Sequence, residues 1–342
     1  MSSDSGSATA HLAAGEATSA GSRRLPDFFI VGHAKSGTTA LYEMLRAHPR
    51  IYMPDHKEPW FFARSNPQPQ TTEQRSVAFT GRHRETLDEY LSLFRHARPE
   101  ELVGEASTSY IWSATAANAI AEVLPRAKII AILREPASFL RSLHLQLLAN
   151  RVETQKDVRK ALALDEDRRA GRNIPKYSYW PQALIYSDRV RYVEQLRRYH
   201  AVFPPEQVLV LIYDDFRADN AGSVRRVLRF LELEDSGPVE VMQANPTVEV
   251  RSVRLNTLTR AVGMGRGPVS SAAKATLKAL TSSRIREDFI YPLRDRLVYR
   301  HPSPPDEPVM RELRERFKPE VVALSEYLDR DLVALWGYDD LG

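Results

Sequence analysis

The stretch Phe28-Phe29-Ile30-Val31-Gly32-His33-Ala34-Lys35-Ser36-Gly37-Thr38-Thr39-Ala40-Leu41 constrains this chain more than any other. A short apolar run ends at Gly32, a polar turn carries a lysine, and Leu41, Met44 and Leu45 then recur at helical spacing. The pattern predicts a strand, a loop and a helix. Backbone N–H groups of Ser36 to Thr39 are then the unpaired donors of the first helical turn, and the helix dipole favours an anion beside them. Lys35 and the hydroxyls of Ser36, Thr38 and Thr39 add charge and donors, and Gly32 and Gly37 let the backbone bend close to a ligand. In the Walker A pattern the lysine follows the second glycine directly. Here Thr38 holds that place and the lysine precedes Gly37, which puts the charge on the flank of the loop.

A chain of 342 residues, 43% of them hydrophobic, has material for one large α/β domain with a lid insertion, the preferred reading, or for two modest domains. Its net charge of +4 is small and scattered, so the composition demands no nucleic-acid partner and suits a site for anionic ligands equally well. The absence of cysteine excludes disulfides, thiolate metal sites and cysteine nucleophiles, and is compatible with a cytoplasmic enzyme. Residues 1–24 are rich in Ser, Ala, Gly and Thr without a continuous apolar core, and read as a disordered tail. No later run approaches the length of a membrane span.

Along the chain, the first helix should stop near His48-Pro49. Met53 to Phe62 then sets His56, Lys57 and Glu58 against Trp60, Phe61 and Phe62, where a carboxylate can be desolvated into a useful base or can simply flank an aromatic patch. Residues 64–84 read as a loop, and Leu87, Tyr90, Leu91 and Phe94 restore helical spacing. Leu102 to Glu105 is a strand candidate, Ala106 to Tyr110 is rich in hydroxyls, and a helix over Ala114 to Leu124 ends at Pro125. Ala127 to Leu133 is a near-continuous apolar run, hence a buried parallel strand, with Arg134 at its carboxyl end, where open parallel sheets bind their ligands.

Arg134-Glu135-Pro136 opens a helix that carries Ser142. Arg134 and Ser142 can converge on a phosphate; singly, Arg134 also fits an ion pair with Glu135, and Ser142 a plain polar residue. Residues 151–188 read as a lid or acceptor-side insertion, or as a loop packed on the core. A helix through Val190, Val193, Leu196 and Tyr199 follows, then a buried strand over Val208 to Tyr213. Asp214-Asp215 resembles the acidic end of a Walker B strand, and Asn220 or Ser223 can start the next helix. Gly263 to Pro268 follows a helix rather than a strand and carries little weight as a dinucleotide fingerprint, and Ser270 to Leu280 reads as a helix. After the proline-rich Pro302 to Pro308, the residues Met310, Leu313, Phe317, Val321, Leu324 and Leu328 give a helical docking face.

Taken in order, Lys35 to Thr39, Lys57-Glu58-Pro59-Trp60-Phe61-Phe62, Gly104 to Tyr110, Leu133-Arg134-Glu135-Pro136 with Ser142, and Tyr213 to Phe216 resemble the sulfotransferases that use 3′-phosphoadenosine 5′-phosphosulfate (PAPS). The resemblance is closest to the branch with the heparan sulfate N- and 3-O-sulfotransferases and their bacterial relatives, and runs over residues 26–336. It implies a P-loop-like, three-layer α/β/α fold around a parallel sheet of about four or five strands. It also implies that Lys35, Ser36, Gly37, Thr38 and Thr39 bind the 5′-phosphosulfate, that Arg134 and Ser142 bind the 3′-phosphate, and that Glu58 is the general base, with Arg251 a looser cofactor contact.

The sequence departs from that branch where Ala106 stands in place of a lysine, which puts a second catalytic lysine and a polysaccharide acceptor in doubt. His33, His56 and His144 are alternative bases. Transfer of a sulfuryl group to a small-molecule or glycan acceptor in this way requires no metal. The competing readings are a P-loop kinase with Asp214 on Mg²⁺, and a non-catalytic anion-binding protein.

Overall fold

Phe28–Ile30 (β1) and Lys128–Leu133 (β4) are apolar at almost every position, a pattern that only a sheet covered on both faces can bury. In the computed structural model, which describes residues 24–63, 86–176, 178, 180–234, 249–250, 299–300 and 302–341, both strands lie side by side at the centre. Ile51–Tyr52 (β2), Leu102–Ala106 (β3) and Val208–Ile212 (β5) complete a five-stranded sheet in the order β2-β3-β1-β4-β5, every pairing parallel.

Alternation along the strands divides the core in two. Phe29, Val31, Val103, Ile129, Ala131 and Leu133 face one layer, and Phe28, Ile30, Ala106, Ile130, Ile132 and Leu209 face the other. Thr38–Arg46 (α1) covers the second face with Leu41 and Leu45. On the first face sit Leu87–Leu91 (α2), Ala116–Val123 (α3), Pro136–Ala149 (α4) and the segment folded as Val158–Ala163 (α5), Asp165–Arg169 (α6) and Tyr186–Arg189 (α7). Tyr192–His200 (α8) packs there too. The chain then returns to the second face with the short helix Tyr213–Ala218 (α9) and with Asn220–Phe230 (α10). Glu249–Val250 (β6) and Tyr299–Arg300 (β7) pair antiparallel, and Glu307–Tyr327 (α11) and Leu332–Leu335 (α12) close the first face.

The expected three layers are therefore present, with α11 docking through Met310, Leu313, Phe317, Val321 and Leu324. Its Glu320 accepts the Val193 N–H at 2.9 Å and so serves the first turn of α8. The described residues of 151–188 include short helices rather than only irregular loop, because a fully buried Arg168–Glu153 pair at 2.8 Å and the Asp165 carboxylate, which accepts the N–H groups of Tyr186 and Ser187, tie the segment together.

Other details differ from the sequence reading. β2 is an additional strand, too short to show periodicity, held at its start by Leu102 N–H donating to the Arg50 carbonyl at 2.9 Å. α3 starts at Ala116 rather than Ala114, where the Ser113 hydroxyl accepts the N–H groups of Thr115 and Ala116. The cap of α10 is Asp219, whose carboxylate accepts the Gly222 N–H at 2.8 Å, rather than Asn220 or Ser223. The expectations for residues 1–23, 64–84, Arg251 to Arg254, Gly263 to Pro268 and Ser270 to Leu280 lie outside the described residues. Among the described residues, no helix is long and apolar enough to cross a membrane.

The close approach of β1 and β4 rests on Gly32. A Cβ there would fall 2.3 Å from Ile132 Cγ2 and 2.5 Å from the Ile132 backbone nitrogen. Gly32→Ala is expected to cost about 2–3 kcal/mol or more, read as a lowered urea midpoint; an unchanged midpoint would show that the strands can separate freely.

Candidate active site

β1 and β4 are neighbours whose following connections leave in opposite directions, β1 toward β2 and β4 toward β5. Such a switch point opens a crevice outside the carboxyl ends of the two strands. The Val31 and His33 N–H groups still bond to the Ile130 and Ile132 carbonyls, at 2.9 and 3.2 Å, and carry the loop along β4 to the crevice edge. There Lys35 takes a left-handed φ of 64° and Gly37 one of 84°. Such a conformation costs a lysine about 1 kcal/mol and a glycine little. Gly37 is the N-cap of α1 with no side-chain cap, so the N–H groups of the first turn face the crevice uncapped by any side chain.

Arg134, at the end of β4, enters this loop directly: its NH1 donates to the Lys35 carbonyl at 2.8 Å. Its guanidinium lies 4.9 Å from the centre of the Tyr213 ring, and Tyr192 Oη donates to its carbonyl at 2.9 Å. Glu135 does not complete the ion pair considered for Arg134. Its carboxylate caps α4 by accepting the Ala137 and Ser138 N–H groups, at 3.0 and 2.7 Å, and accepts the Tyr338 hydroxyl. Burial, then the charge of Arg134, lowers the pKa of Lys35, and burial lowers that of Arg134. Two crowded cations in a dry crevice favour an incoming anion. Ser36 adds a fully buried hydroxyl whose oxygen has no partner among the described residues. Ser142 is buried about two turns along α4, and Arg251 lies outside the described residues.

Glu58 reaches the same crevice from the other side. Its N–H donates to the Ala106 carbonyl at the end of β3, at 2.9 Å, and Trp60 N–H donates to Ser107 Oγ at 3.2 Å. Glu58 and Trp60 both hold left-handed φ values, 63° and 55°, so this short segment stores strain that its anchors must hold. One Glu58 oxygen accepts Lys57 Nζ at 3.3 Å and the other accepts Trp60 Nε1 at 3.2 Å. Lys57 Nζ also donates to Thr39 Oγ1 at 3.1 Å and to Thr38 Oγ1 at 3.3 Å. Lys57 is thus a bridge between the carboxylate and the loop that the sequence reading had noted only as a neighbour. The signal available was its adjacency to Glu58. Although position 106 lacks a lysine, a second ammonium does reach the loop.

His33 and His144, two of the three alternative bases, are structural. His33 is buried, stacked 4.7 Å from Phe139, with Nε2 on Gln195 Oε1 at 2.7 Å. His144 is buried between Tyr186 Oη and the Lys156 carbonyl, at 2.8 and 3.0 Å. Burial lowers the pKa of both imidazoles and favours their neutral forms. Asp214 and Asp215 are not an open acidic strand end: Trp336 Nε1 donates to Asp214 at 2.9 Å, and Arg330 pairs with Asp215 through two hydrogen bonds, one of 2.7 Å.

Comparison with known proteins gives a match to the model of the Sulfotransferase family over residues 26–237. The solved structure of a sulfotransferase from Alicyclobacillus acidocaldarius is similar at a TM-score of 0.57 and 29% identity, over 70% of this chain and 94% of that one. Human bifunctional heparan sulfate N-deacetylase/N-sulfotransferase 3 is 26% identical over 61% of this chain and 22% of its own length. Mouse heparan sulfate glucosamine 3-O-sulfotransferase 3B1 is 28% identical over 63% and 48%. The chain thus spans less than half the length of these curated relatives.

A second carboxyl lies under Glu58. Glu105 is wholly buried and accepts the hydroxyls of Tyr90 and Tyr110, at 3.0 and 2.9 Å. Burial raises its pKa from 4.5 to about 7. The folded chain therefore keeps a proton that the unfolded chain releases, and the resulting stabilisation is present below pH 4.5 and lost as pH rises through about 7. The stability difference between the wild type and Glu105→Gln should shift against the wild type by up to about 3 kcal/mol from pH 5 to pH 8, measured by urea unfolding. A difference independent of pH would show that Glu105 is ionised in the fold.

Proposed function

The chain belongs to the sulfotransferase family, and we propose that it transfers the sulfuryl group of PAPS to a hydroxyl or amine of a small-molecule or glycan acceptor, releasing 3′,5′-ADP. The observation that carries this reading is the 2.8 Å hydrogen bond from Arg134 to the Lys35 carbonyl, which holds two cationic groups at one switch point. The residues at this point suit a phosphate-bearing ligand. The buried, partnerless hydroxyl of Ser36 and the lowered pKa values of Lys35 and Arg134 are costs that a bound anion relieves.

In this reading Lys35, Ser36, Gly37, Thr38 and Thr39 hold the 5′-phosphosulfate, Arg134 and Ser142 hold the 3′-phosphate, and Arg251 is a looser cofactor contact. When bound, PAPS supplies a sulfuryl group on a phosphate leaving group. Lys35 and the first-turn N–H groups of α1 meet the charge that develops on that phosphate, preorganised and away from water. Lys57, already on Thr38 and Thr39, adds a second ammonium beside the transferred group. Glu58 accepts the proton of the attacking hydroxyl or amine, and Trp60 Nε1 fixes the orientation of its carboxylate. A carbohydrate acceptor is supported by the relatives, whose names include heparan sulfate and glucosamine.

Calorimetry without magnesium should show binding of 3′,5′-ADP. Lys35→Ala should abolish transfer from labelled PAPS, and Glu58→Gln should lower kcat by about 100-fold or more while 3′,5′-ADP affinity stays within about threefold. Magnesium-dependent binding of ATP with no affinity for the bisphosphate would overturn the reading, and near-normal turnover by Glu58→Gln would remove it as the base.

A further inference from the structure

Arg189, the last residue of α7, is a buried cation without an anion. Its residue is 4% exposed, its Nε has no partner, and among the described residues no carboxylate pairs with its guanidinium. The carboxylates beside it in sequence are engaged elsewhere: Asp188 with Arg169 at 2.6 Å and Glu194 with Arg191 at 2.7 Å. Burial pushes the guanidinium down to about 9, a value at which it remains cationic at neutral pH. The position is firmly held, since Gln195 Nε2 donates to the Asp188 and Arg189 carbonyls while its Oε1 meets His33 at the base of the loop. Taking a charge out of water in this way is costly unless a counter-charge arrives.

What Arg189 does touch is an indole: its guanidinium carbon lies 4.2 Å from the centre of the Trp112 ring. Trp112 is 5.8 Å from Trp180, Trp180 is 4.9 Å from Trp60, and the Trp60 indole N–H is on the Glu58 carboxylate. All three tryptophans are half-buried. They make a continuous row of partly open aromatic surface from Glu58 to Arg189, drawn from three separate parts of the chain. Indoles of this kind take the flat face of a sugar or an aromatic ring, and guanidinium takes a carboxylate.

We propose that Trp60, Trp180 and Trp112 line the acceptor side of the cleft and that Arg189 binds a carboxylate of the acceptor, which is therefore an acidic ring compound rather than a neutral one. This rests on Glu58 marking the acceptor end, as proposed above. The sulfated hydroxyl or amine lies at the Glu58 end of the row and the acid at the other.

Phenyl β-D-glucuronide and phenyl β-D-glucoside differ in bearing a carboxylate or a hydroxymethyl group, and serve as matched probes for calorimetry on the full chain saturated with 3′,5′-ADP. The glucuronide should bind about tenfold more tightly or better, Arg189→Gln should bring the two within about threefold, and Trp180→Ala should weaken both alike. Both variants should keep wild-type affinity for 3′,5′-ADP, which separates this result from the fate of the cofactor reading. Equal affinities in the wild type, no binding of either probe, or a loss of 3′,5′-ADP affinity in Arg189→Gln would each overturn the proposal. The wild-type comparison and Trp180→Ala decide the matter even if Arg189→Gln does not fold. Glucuronate and benzoate, titrated separately, tell a sugar acid from an aromatic one.

Discussion

The architecture depends on the contact between two buried parallel strands whose connections diverge. β1 and β4 can lie together only because Gly32 presents no side chain to Ile132, and both can be apolar at almost every position only because helices cover each face of the sheet. Everything chemical follows from where those strands stop. The loop after β1 brings Lys35 and the open first turn of α1, the end of β4 brings Arg134, and the end of β3 anchors the segment that carries Glu58. The crevice is a consequence of strand order before it is a consequence of any particular side chain.

The site also concentrates backbone strain. Lys35, Glu58 and Trp60 all sit in the left-handed region, where residues with a Cβ are rarely found. Each is held by a tertiary bond: Arg134 on the Lys35 carbonyl, the Ala106 carbonyl on Glu58, and Ser107 on Trp60. Strain held in this way at three positions around one crevice is a mark of groups fixed in advance for a task.

Much of this was legible in the sequence. The central strands announced themselves because continuous apolar runs have few other uses, and the loop because a lysine, two glycines and three hydroxyls follow such a run at once. The neighbourhood of Lys35 and Arg134 followed from the rule that parallel sheets place their ligands at carboxyl ends. What stayed hidden was set by tertiary contacts. Two residues of β2 carry no period to read, and Asp219 was one of several residues able to cap α10. The pair Asp214-Asp215 looked open because Arg330 and Trp336 are more than a hundred residues away along the chain. Lys57 was in view but its reach to Thr38 and Thr39 was not, and the tryptophan row exists only once three distant segments have met.

The C-terminal residues close the molecule onto its own crevice. Tyr338 donates to Glu135, the cap of the helix that follows Arg134, while Trp336 and Arg330 fasten the acidic pair beyond β5. Chain ends ordinarily fray first and at little cost. In this protein, fraying would take the Tyr338 hydroxyl from the carboxylate that caps α4 and release the acidic pair beyond β5, so order at the tail bears on order at the crevice.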